Sequence, residues 1–403
     1  MKSKLIALAL FAVTTATVAL LPAYQSVGGI SPVDPPGIDP VIDPITNERA
    51  RIDVVFVLDT TGSMGGLIQA AKEKIWSIAT TLASAQSAPE IRMGLVAYRD
   101  RGDAYVTKVV DLSSDLDSMY ATLMDFRADG GGDGPESVNQ ALHDAVHKIS
   151  WSQQDGTYKV VFLVGDAPPH MDYPNDVKYP VTLRAAKKMG IVVNAIQSGQ
   201  VGSTTPAWQR IAKLGNGNYF QVEQTGNAVA ITTPFDEKIA TLSAKMDDTR
   251  LYYGTSEEKE KQRRKQEAAE KLHAASSVES RARRATFNAS KSGAANFLGE
   301  GELVDEVTSG RVDLSSIDRD KLPAAIQAMA PAEQAKVISE TAERRNELKR
   351  QISDLTKERA AYLDKKVREA GGAKDSLDDK IYRAVRDQAG RLGMSYEADA
   401  PAY

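Results

Sequence analysis

The chain of 403 residues has no cysteine and only four histidines. The missing cysteines exclude disulfides, zinc–thiolate sites and cysteine nucleophiles. Acidic residues slightly outnumber basic ones, and the formal net charge is −4. The net charge therefore gives no argument for nucleic-acid binding. The Gly-x-x-x-x-Gly-Lys phosphate loop and the kinase signatures are also missing from the sequence. Hydrophobic residues make up 42% of the chain, which is enough for the cores of two or three domains.

The N-terminus resembles an export segment. Lys2 and Lys4 precede an apolar run at residues 5–21 that contains no acidic side chain. The run is long for a cleaved signal and slightly short for a membrane-spanning helix, so residues 1–23 are either a cleaved signal peptide or an uncleaved anchor. Both alternatives place the protein outside the cytoplasm, in the periplasm, in the cell envelope or in the medium. The proline-rich residues 24–50 are predicted to form an extended linker.

From residue 51 to residue 248 the patterns of strands and helices alternate. Strands are predicted at residues 52–58, 91–98, 104–110, 157–164, 190–196 and 217–222, and helices at 65–83, 115–127, 136–150, 177–189, 205–214 and 227–246. This order predicts an α/β domain with a Rossmann-like, doubly wound and mostly parallel sheet. The gap between the second and third strands is too short for a crossover, so we expect one antiparallel strand at the sheet edge.

Residues 249–403 are predicted to be mainly α-helical. Residues 257–271 are almost entirely charged residues, Gln and Ala, which indicates a solvated or disordered helix, and the basic cluster at residues 281–284 is interpreted as surface. A helical block that begins near Leu322 or Ala332 and ends near Glu369 has a weak apolar stripe. The stripe is compatible with a helical hairpin and with a short coiled coil.

Oxygen-bearing side chains follow the first predicted strand directly, in the run Asp59-Thr60-Thr61-Gly62-Ser63-Met64. Asp133 and Glu136 lie in a later glycine-rich segment, and Asp166 follows another buried strand. Ligands of open α/β sheets bind at the carboxyl ends of the strands, where these segments would meet. Carboxylate and hydroxyl oxygens suit a hard cation such as Mg²⁺, Mn²⁺ or Ca²⁺.

These motifs resemble the von Willebrand factor A family and its metal-ion-dependent adhesion site, over roughly residues 53–246. Asp59, Thr61, Ser63 and Asp166 match the family pattern, while Asp133 stands where a threonine is usual. The resemblance implies that these five residues hold a divalent cation, Mg²⁺ first among the candidates. The variant Gly-Gly-Gly-Asp-x-Pro-Glu with Asp-Ala-Pro-Pro-His looks like a bacterial subgroup that also occurs beside alpha-kinases.

The resemblance further implies that a secreted or envelope protein grips a protein partner, which offers a carboxylate to the ion. Glu136 and His170 are predicted to form the partner-binding rim. The alternative is a structural or scaffolding envelope protein whose ion only stiffens the sheet and whose C-terminal helices make the contacts. No general base, nucleophile or second metal is evident, so no enzymatic activity is predicted. Nucleic acid is not an expected partner. If the N-terminal segment is the uncleaved anchor, it tethers the protein to a membrane.

Overall fold

The computed structural model describes residues 49–132, 134–223, 231–369 and 377–397. The predicted export segment, nearly all of the predicted linker and Asp133 lie outside the described residues. The described part is mixed α/β up to about residue 248 and helical after it, as the sequence predicted.

The sheet has six strands, and each observed boundary lies within three residues of its predicted position. The strands are β1 (Arg51–Asp59), β2 (Glu90–Tyr98), β3 (Thr107–Ser113), β4 (Tyr158–Gly165), β5 (Ile191–Ser198) and β6 (Asn216–Val222). Their order across the sheet is β3-β2-β1-β4-β5-β6, and β3 pairs with β2 antiparallel while the other pairs are parallel. The Rossmann-like sheet with one antiparallel edge strand is therefore confirmed.

Helices cover both faces of the sheet because the central strands are apolar on both sides. In β1, Val55 and Val57 point to one face and Phe56 and Leu58 to the other, and all four are buried. The helices that flank the sheet are α1 (Gly65–Ala83), α2 (Leu116–Asp125), α3 (Val138–His147), α4 (Tyr179–Lys188) and α5 (Thr205–Leu214). The apolar side chains of α3, α4 and α5 pack in one cluster with Val55 and Val57. The apolar side chains of α1 and α2 pack on the opposite face of the sheet, with Phe56 and Leu58.

Helix α6 (Asp236–Asp247) begins later than residue 227, the start predicted from sequence. Pro234 explains the described part of this difference, because a proline disfavours helical geometry at the residue before it. The Asp236 carboxylate accepts a hydrogen bond from the Thr233 backbone N–H at 2.6 Å, and this contact holds the start of the helix. Residues 231–235 are accordingly not helical.

The C-terminal region adds seven helices within the described residues. They are α7 (Ser256–Ala275), α8 (Val278–Ala289), α9 (Ala294–Leu298), α10 (Leu303–Thr308), α11 (Ala324–Gln327), α12 (Pro331–Glu369) and α13 (Leu377–Gly390). The charged segment forms α7, and a capping box between Thr255 and Glu258 starts it. One side of α7 is buried, including Lys265 and Leu272, so this helix is not solvated on all sides.

The weak stripe on α12 packs within the chain. Its residues Leu348 and Ile352 join a core cluster with α6, α8 and Phe297. The Arg345 guanidinium binds both carboxylate oxygens of Glu302, at 2.8 and 2.9 Å, so the charge in the stripe is paired. A coiled coil with a further helix stays a prediction.

The interpretation of the basic cluster as surface was wrong for Arg283 and Arg284, which are buried. Arg284 lies between two buried carboxylates and donates to Asp117 Oδ1 at 2.6 Å and to Asp247 Oδ2 at 2.7 Å. The buried charge is tolerated because both carboxylates meet it directly. These contacts fix α8 to α2 and α6.

Helix α13 returns to the sheet at the end of the described chain. Its residues Ile381 and Val385 belong to the same buried cluster as Phe56 and Phe162. The helix therefore completes the apolar cover on the face that also carries α1. No helix among the described residues is both long enough and apolar enough to cross a membrane.

Candidate metal centre

The carboxyl end of β1 places three of the predicted ligands in one short turn. Asp59 is the last strand residue, a 3₁₀ turn follows at Gly62–Met64, and α1 begins at Gly65. Thr61 donates to Asp59 Oδ1 from its backbone N–H at 2.9 Å and from its hydroxyl at 2.7 Å. The hydroxyls of Thr61 and Ser63 are 3.5 Å apart. Ser63 is exposed in this turn, directly before Met64 and α1.

Asp166 lies beside Asp59 because it follows the neighbouring parallel strand. β1 and β4 pair in register up to Leu58 and Val164. The intervening Gly165 allows close approach, since a Cβ at that position would stand 3.1 Å from Asp59 Oδ2. Thr204 donates to the backbone carbonyl of Asp166 at 2.9 Å and holds the loop in place. The structure thus brings Asp59, Thr61, Ser63 and Asp166 to one edge of the sheet.

The Asp59 carboxylate is fully buried and only half satisfied. Burial raises the pKa of Asp59 to about 7, and the negative charge of Asp166 also raises it. The two hydrogen bonds from Thr61 lower the pKa, but burial outweighs them. The hydroxyl of Tyr98 faces the same carboxylate, but it donates to the carbonyl of Val164 at 3.4 Å. Oδ2 of Asp59 has no hydrogen-bond partner of good geometry among the described residues. This oxygen needs a proton or a cation.

A glycine-rich loop closes over the turn after β1. The Gly62 backbone N–H donates to the Gly130 carbonyl at 3.0 Å, and the Asp129 N–H donates to the Thr60 carbonyl at 3.2 Å. Gly131 has φ of +81°, and a Cβ there would stand 3.2 Å from the Thr61 Cβ. Glycine is required here for both its backbone conformation and its close approach. Asp133, the predicted fifth ligand, lies outside the described residues.

Glu136 enters the same edge from the end of this loop. Its backbone N–H donates to the Pro168 carbonyl at 2.9 Å, and its carbonyl accepts from the His170 N–H at 3.0 Å. The side chain is 3% exposed, and its Oε2 has no hydrogen-bond partner among the described residues. Burial raises the pKa of Glu136 to about 9, and the charges of Asp59, Asp100, Asp103 and Asp166 contribute.

His170 is buried in the loop cluster behind the site, and its ring stacks on Tyr173 with centroids 3.9 Å apart. Its Nδ1 lies 2.8 Å from Asp172 Oδ1, and its Nε2 lies 3.3 Å from Asp100 Oδ2. A role for His170 on a partner-binding rim stays a prediction, and its ring makes these contacts inside the protein.

Two acidic residues after β2 organise the loops, although they were not among the predicted site residues. Asp100 accepts hydrogen bonds from Ser137 at 2.8 Å and from Tyr173 at 2.7 Å. Asp103 accepts from the Gly131 N–H at 3.1 Å. The signal was available in the sequence, because Asp100 follows a predicted strand end as Asp59 and Asp166 do.

The donor set fits a hard cation held by mixed carboxylate and hydroxyl oxygens. Among the described residues, no group of three or more His, Asp or Glu side chains is placed to hold a metal ion by itself. The candidate ligands at this edge are the carboxylates of Asp59 and Asp166 and the hydroxyls of Thr61 and Ser63, and Glu136 adds a third carboxylate to the same edge. Asp59 Oδ2 and Glu136 Oε2 are both buried without a hydrogen bond of good geometry. A cation bound beside them would compensate for the hydration that these oxygens lose on burial.

Comparison with known proteins places a family match on this part of the chain. Residues 53–233 match the model of the family described as von Willebrand factor A domain. The chain is 27% identical over 124 residues to an ariadne-like RING finger protein of Acanthamoeba polyphaga mimivirus, covering 31% of this chain and 12% of that protein. It is 29% identical over 120 residues to alpha-protein kinase vwkA of Dictyostelium discoideum, covering 30% of this chain and 19% of that protein.

The chain therefore spans less than a fifth of the length of these curated relatives. Among solved structures, it aligns with proximal thread matrix protein 1 from the mussel byssus, in a structure with a zinc-occupied MIDAS motif. That alignment has 17% identity and a TM-score of 0.34, and it covers 43% of this chain and 42% of the other.

Proposed function

We propose, from the von Willebrand factor A domain that spans residues 53–233, that this protein binds a protein partner through a divalent cation. The cation is held by Asp59, Thr61, Ser63 and Asp166 at the carboxyl edge of the sheet, and Mg²⁺ is the first candidate. The observation that carries the proposal is the fully buried Asp59 carboxylate. Its Oδ1 accepts two hydrogen bonds from Thr61, while the Tyr98 hydroxyl, which faces the carboxylate, donates to the Val164 carbonyl.

The ion gives this edge a way to recognise a partner. The protein oxygens come from one side, from the turn after β1 and the loop after β4, so a partner oxygen can complete the coordination from solvent. The resemblance to the von Willebrand factor A family implies a carboxylate as that donor. We further propose that the protein acts outside the cytoplasm, as residues 1–23 predict, and that it binds its partner without catalysing a reaction on it.

Calorimetric titration of the protein with Mg²⁺ and Mn²⁺ tests the cation. We expect binding to the wild type and no binding to Asp59→Asn, which keeps the side-chain shape and removes the charge. Asp155→Asn is the matched control, because Asp155 is an exposed carboxylate in the turn that precedes β4, at the opposite edge of the sheet. A folded wild-type protein without divalent affinity at millimolar concentration would refute the proposal.

A pull-down from envelope extract, with and without EDTA, tests the role of the ion in partner capture. We expect EDTA and Asp59→Asn to abolish the same captured band. Capture that survives EDTA and maps to residues 249–403 would instead support the scaffolding function. That alternative rests on the long exposed face of α12, which carries charged residues such as Arg350 and Lys357.

A further inference from the structure

A pocket of about 230 Å³ lies in the C-terminal region, and none of its lining residues belongs to the sheet. One wall is the start of α7 with the loop before it, and the other is α10 with the segment that leads into it. The Tyr253 N–H donates to the Gly301 carbonyl at 3.1 Å and joins the two walls. This α7–α10 pocket is smaller than the roughly 300–1,000 Å³ of sites for drug-sized molecules, so its size suits one side chain or a small ion.

Acidic side chains dominate the lining of the α7–α10 pocket. Glu258, Glu300 and Glu306 line it, and Lys261 is the one basic residue that lines it within the described chain. Lys261 is paired with Glu300 at 2.6 Å, and both side chains are mostly exposed. The pocket is therefore reached from solvent on this side and keeps a net negative charge.

Tyr253 lies in this acidic field, and its hydroxyl donates to Glu306 Oε2. The pKa of Tyr253 is raised to about 12, by burial first and then by Glu306 and Glu258, while Arg311 lowers it. Arg311 and the nearby Lys321 each have an aspartate partner of their own. A further positive charge beside Tyr253 is thus favoured.

Gln262 is an independent sign that a hydrogen-bond donor belongs in this pocket. It lies one turn after Glu258 on the same face of α7, and it is 5% exposed. Its Oε1 is buried with no hydrogen-bond partner among the described residues, and a Cβ on Gly299 would stand 2.8 Å from it. A buried amide oxygen without a donor is destabilising. The amide oxygen and the three carboxylates are all acceptors, so they suit a ligand that donates and is positively charged.

A guanidinium group fits these acceptors better than a metal ion does. Among the residues that the structure describes, no group of three or more acidic or histidine side chains is placed to hold a metal. A guanidinium offers five N–H donors in a planar fork, and it stacks on aromatic rings such as that of Tyr253. An ammonium group offers three donors from a single point.

We propose that the α7–α10 pocket binds the guanidinium group of an arginine side chain that a partner protein presents. Glu258 and Glu306 balance its charge, and Gln262 Oε1 accepts one of its hydrogen bonds. The inference goes beyond the proposed function and does not require the cation at the sheet edge.

A capped tripeptide, Ala-Arg-Ala, is the probe, and it is titrated into the full chain in EDTA by ligand-observed NMR. We expect it to bind at least about tenfold more tightly than the same peptide with citrulline, whose urea group has the shape but not the charge. The lysine peptide should bind at least about threefold more weakly than the arginine peptide. Equal affinities for the arginine and citrulline peptides, or for the arginine and lysine peptides, would overturn the proposal. Binding of agmatine without binding of the tripeptide would overturn the assignment to a protein side chain.

Two substitutions in the pocket should act in opposite directions. Glu306→Gln keeps an acceptor for the Tyr253 hydroxyl and removes a charge, so affinity for the arginine peptide should fall by at least about fivefold. Lys261→Met removes the competing cation and releases Glu300, so affinity should rise by about two- to fivefold at low salt. A residue that only supports the fold would not raise affinity when it is replaced. Unchanged or lower affinity in Lys261→Met would therefore contradict the proposal, even if Glu306→Gln proves unstable.

Glu267→Gln is the matched control for Glu306→Gln, because Glu267 lies further along α7, outside the pocket, and its side chain is 54% exposed. Its effect on affinity should be less than about twofold at physiological salt, which screens exposed charges. Equal losses in the two variants would overturn the proposal in favour of a general acidic field. Because every titration contains EDTA, failure here leaves the metal-dependent function untouched, and a protein without divalent affinity leaves this inference untouched.

Discussion

The side-chain amides of Gln388 in α13 and Asn194 in β5 form two hydrogen bonds with each other, at 2.8 and 3.2 Å. The hydroxyl of Tyr158 in β4 also donates to Gln388 Oε1, at 2.6 Å. All three side chains are buried. A residue near the end of the described chain therefore completes the polar contacts of two central strands.

Replacing Gln388 with alanine should destabilise the fold. Asn194 and Tyr158 would be left buried with unsatisfied groups, which costs about 1–3 kcal/mol. Denaturant unfolding measures the loss, and Arg391→Ala, at an exposed position just after α13, should change stability by less than about 0.5 kcal/mol. If Gln388→Ala and Arg391→Ala unfold at the same denaturant concentration, α13 does not contribute to the fold in this way.

Replacing Arg284 with methionine should be more severe. Asp117 and Asp247 would lose the cation between them, and breaking a buried ion pair from one side costs about 3–5 kcal/mol. The comparison variant is Arg264→Met, because the Arg264 side chain is 74% exposed on α7. Equal unfolding midpoints for the two variants would contradict the buried contacts of Arg284.

The same cluster predicts loss of stability in acid. Burial alone would raise the pKa values of Asp117 and Asp247, but the charge of Arg284 outweighs burial and holds both below their usual range. A lowered pKa in the folded state stabilises the fold above the unfolded pKa of about 4, and this stability is lost as pH falls below it. Unfolding midpoints at pH 7, 5 and 3 should therefore decrease toward pH 3.

Arg284→Met provides the check on that acid dependence. Without the guanidinium, the two buried carboxylates are easier to protonate, so the variant should lose less stability between pH 5 and pH 3 than the wild type does. Parallel pH profiles for the two proteins would place the origin of the acid sensitivity in other groups.

Substituting alanine for Gly131 should weaken Mg²⁺ binding at the proposed metal centre, with only a modest loss of fold stability. The new Cβ would press on Thr61, and a positive φ for alanine costs about 1 kcal/mol. Gly156→Ala carries similar backbone strain, at φ of +73°, with nothing within 4 Å of the added atom. We expect similar losses of stability in both variants and weaker Mg²⁺ binding only in Gly131→Ala. Unchanged Mg²⁺ affinity in Gly131→Ala would argue against Thr61 as a ligand.

The sheet could be predicted because its signals are local. Each buried strand is a short apolar run, and the short gap after β2 requires an antiparallel neighbour. Asp59 and Asp166 could be named as candidate ligands because strand ends meet at one edge of a parallel sheet. The predicted start of α6 was wrong because the helical pattern was extended across Pro234.

The C-terminal helices could not be placed because their partners are distant in sequence. Arg284 was interpreted as surface, and its carboxylate partner Asp117 is 167 residues away. Charge alone does not tell a paired buried arginine from an exposed one. The buried state of Glu136 was missed for a similar reason, since its neighbours come from the ends of three different strands.

The separation of Gln388 from its partner also bears on synthesis. Asn194 leaves the ribosome 194 residues before Gln388 does. At typical elongation rates of 5–20 residues per second, this interval is about 10–40 s. During that time the apolar side of the sheet that α13 finally covers stays open to other nascent chains. A holdase chaperone that binds this exposed apolar side would protect the sheet during that interval.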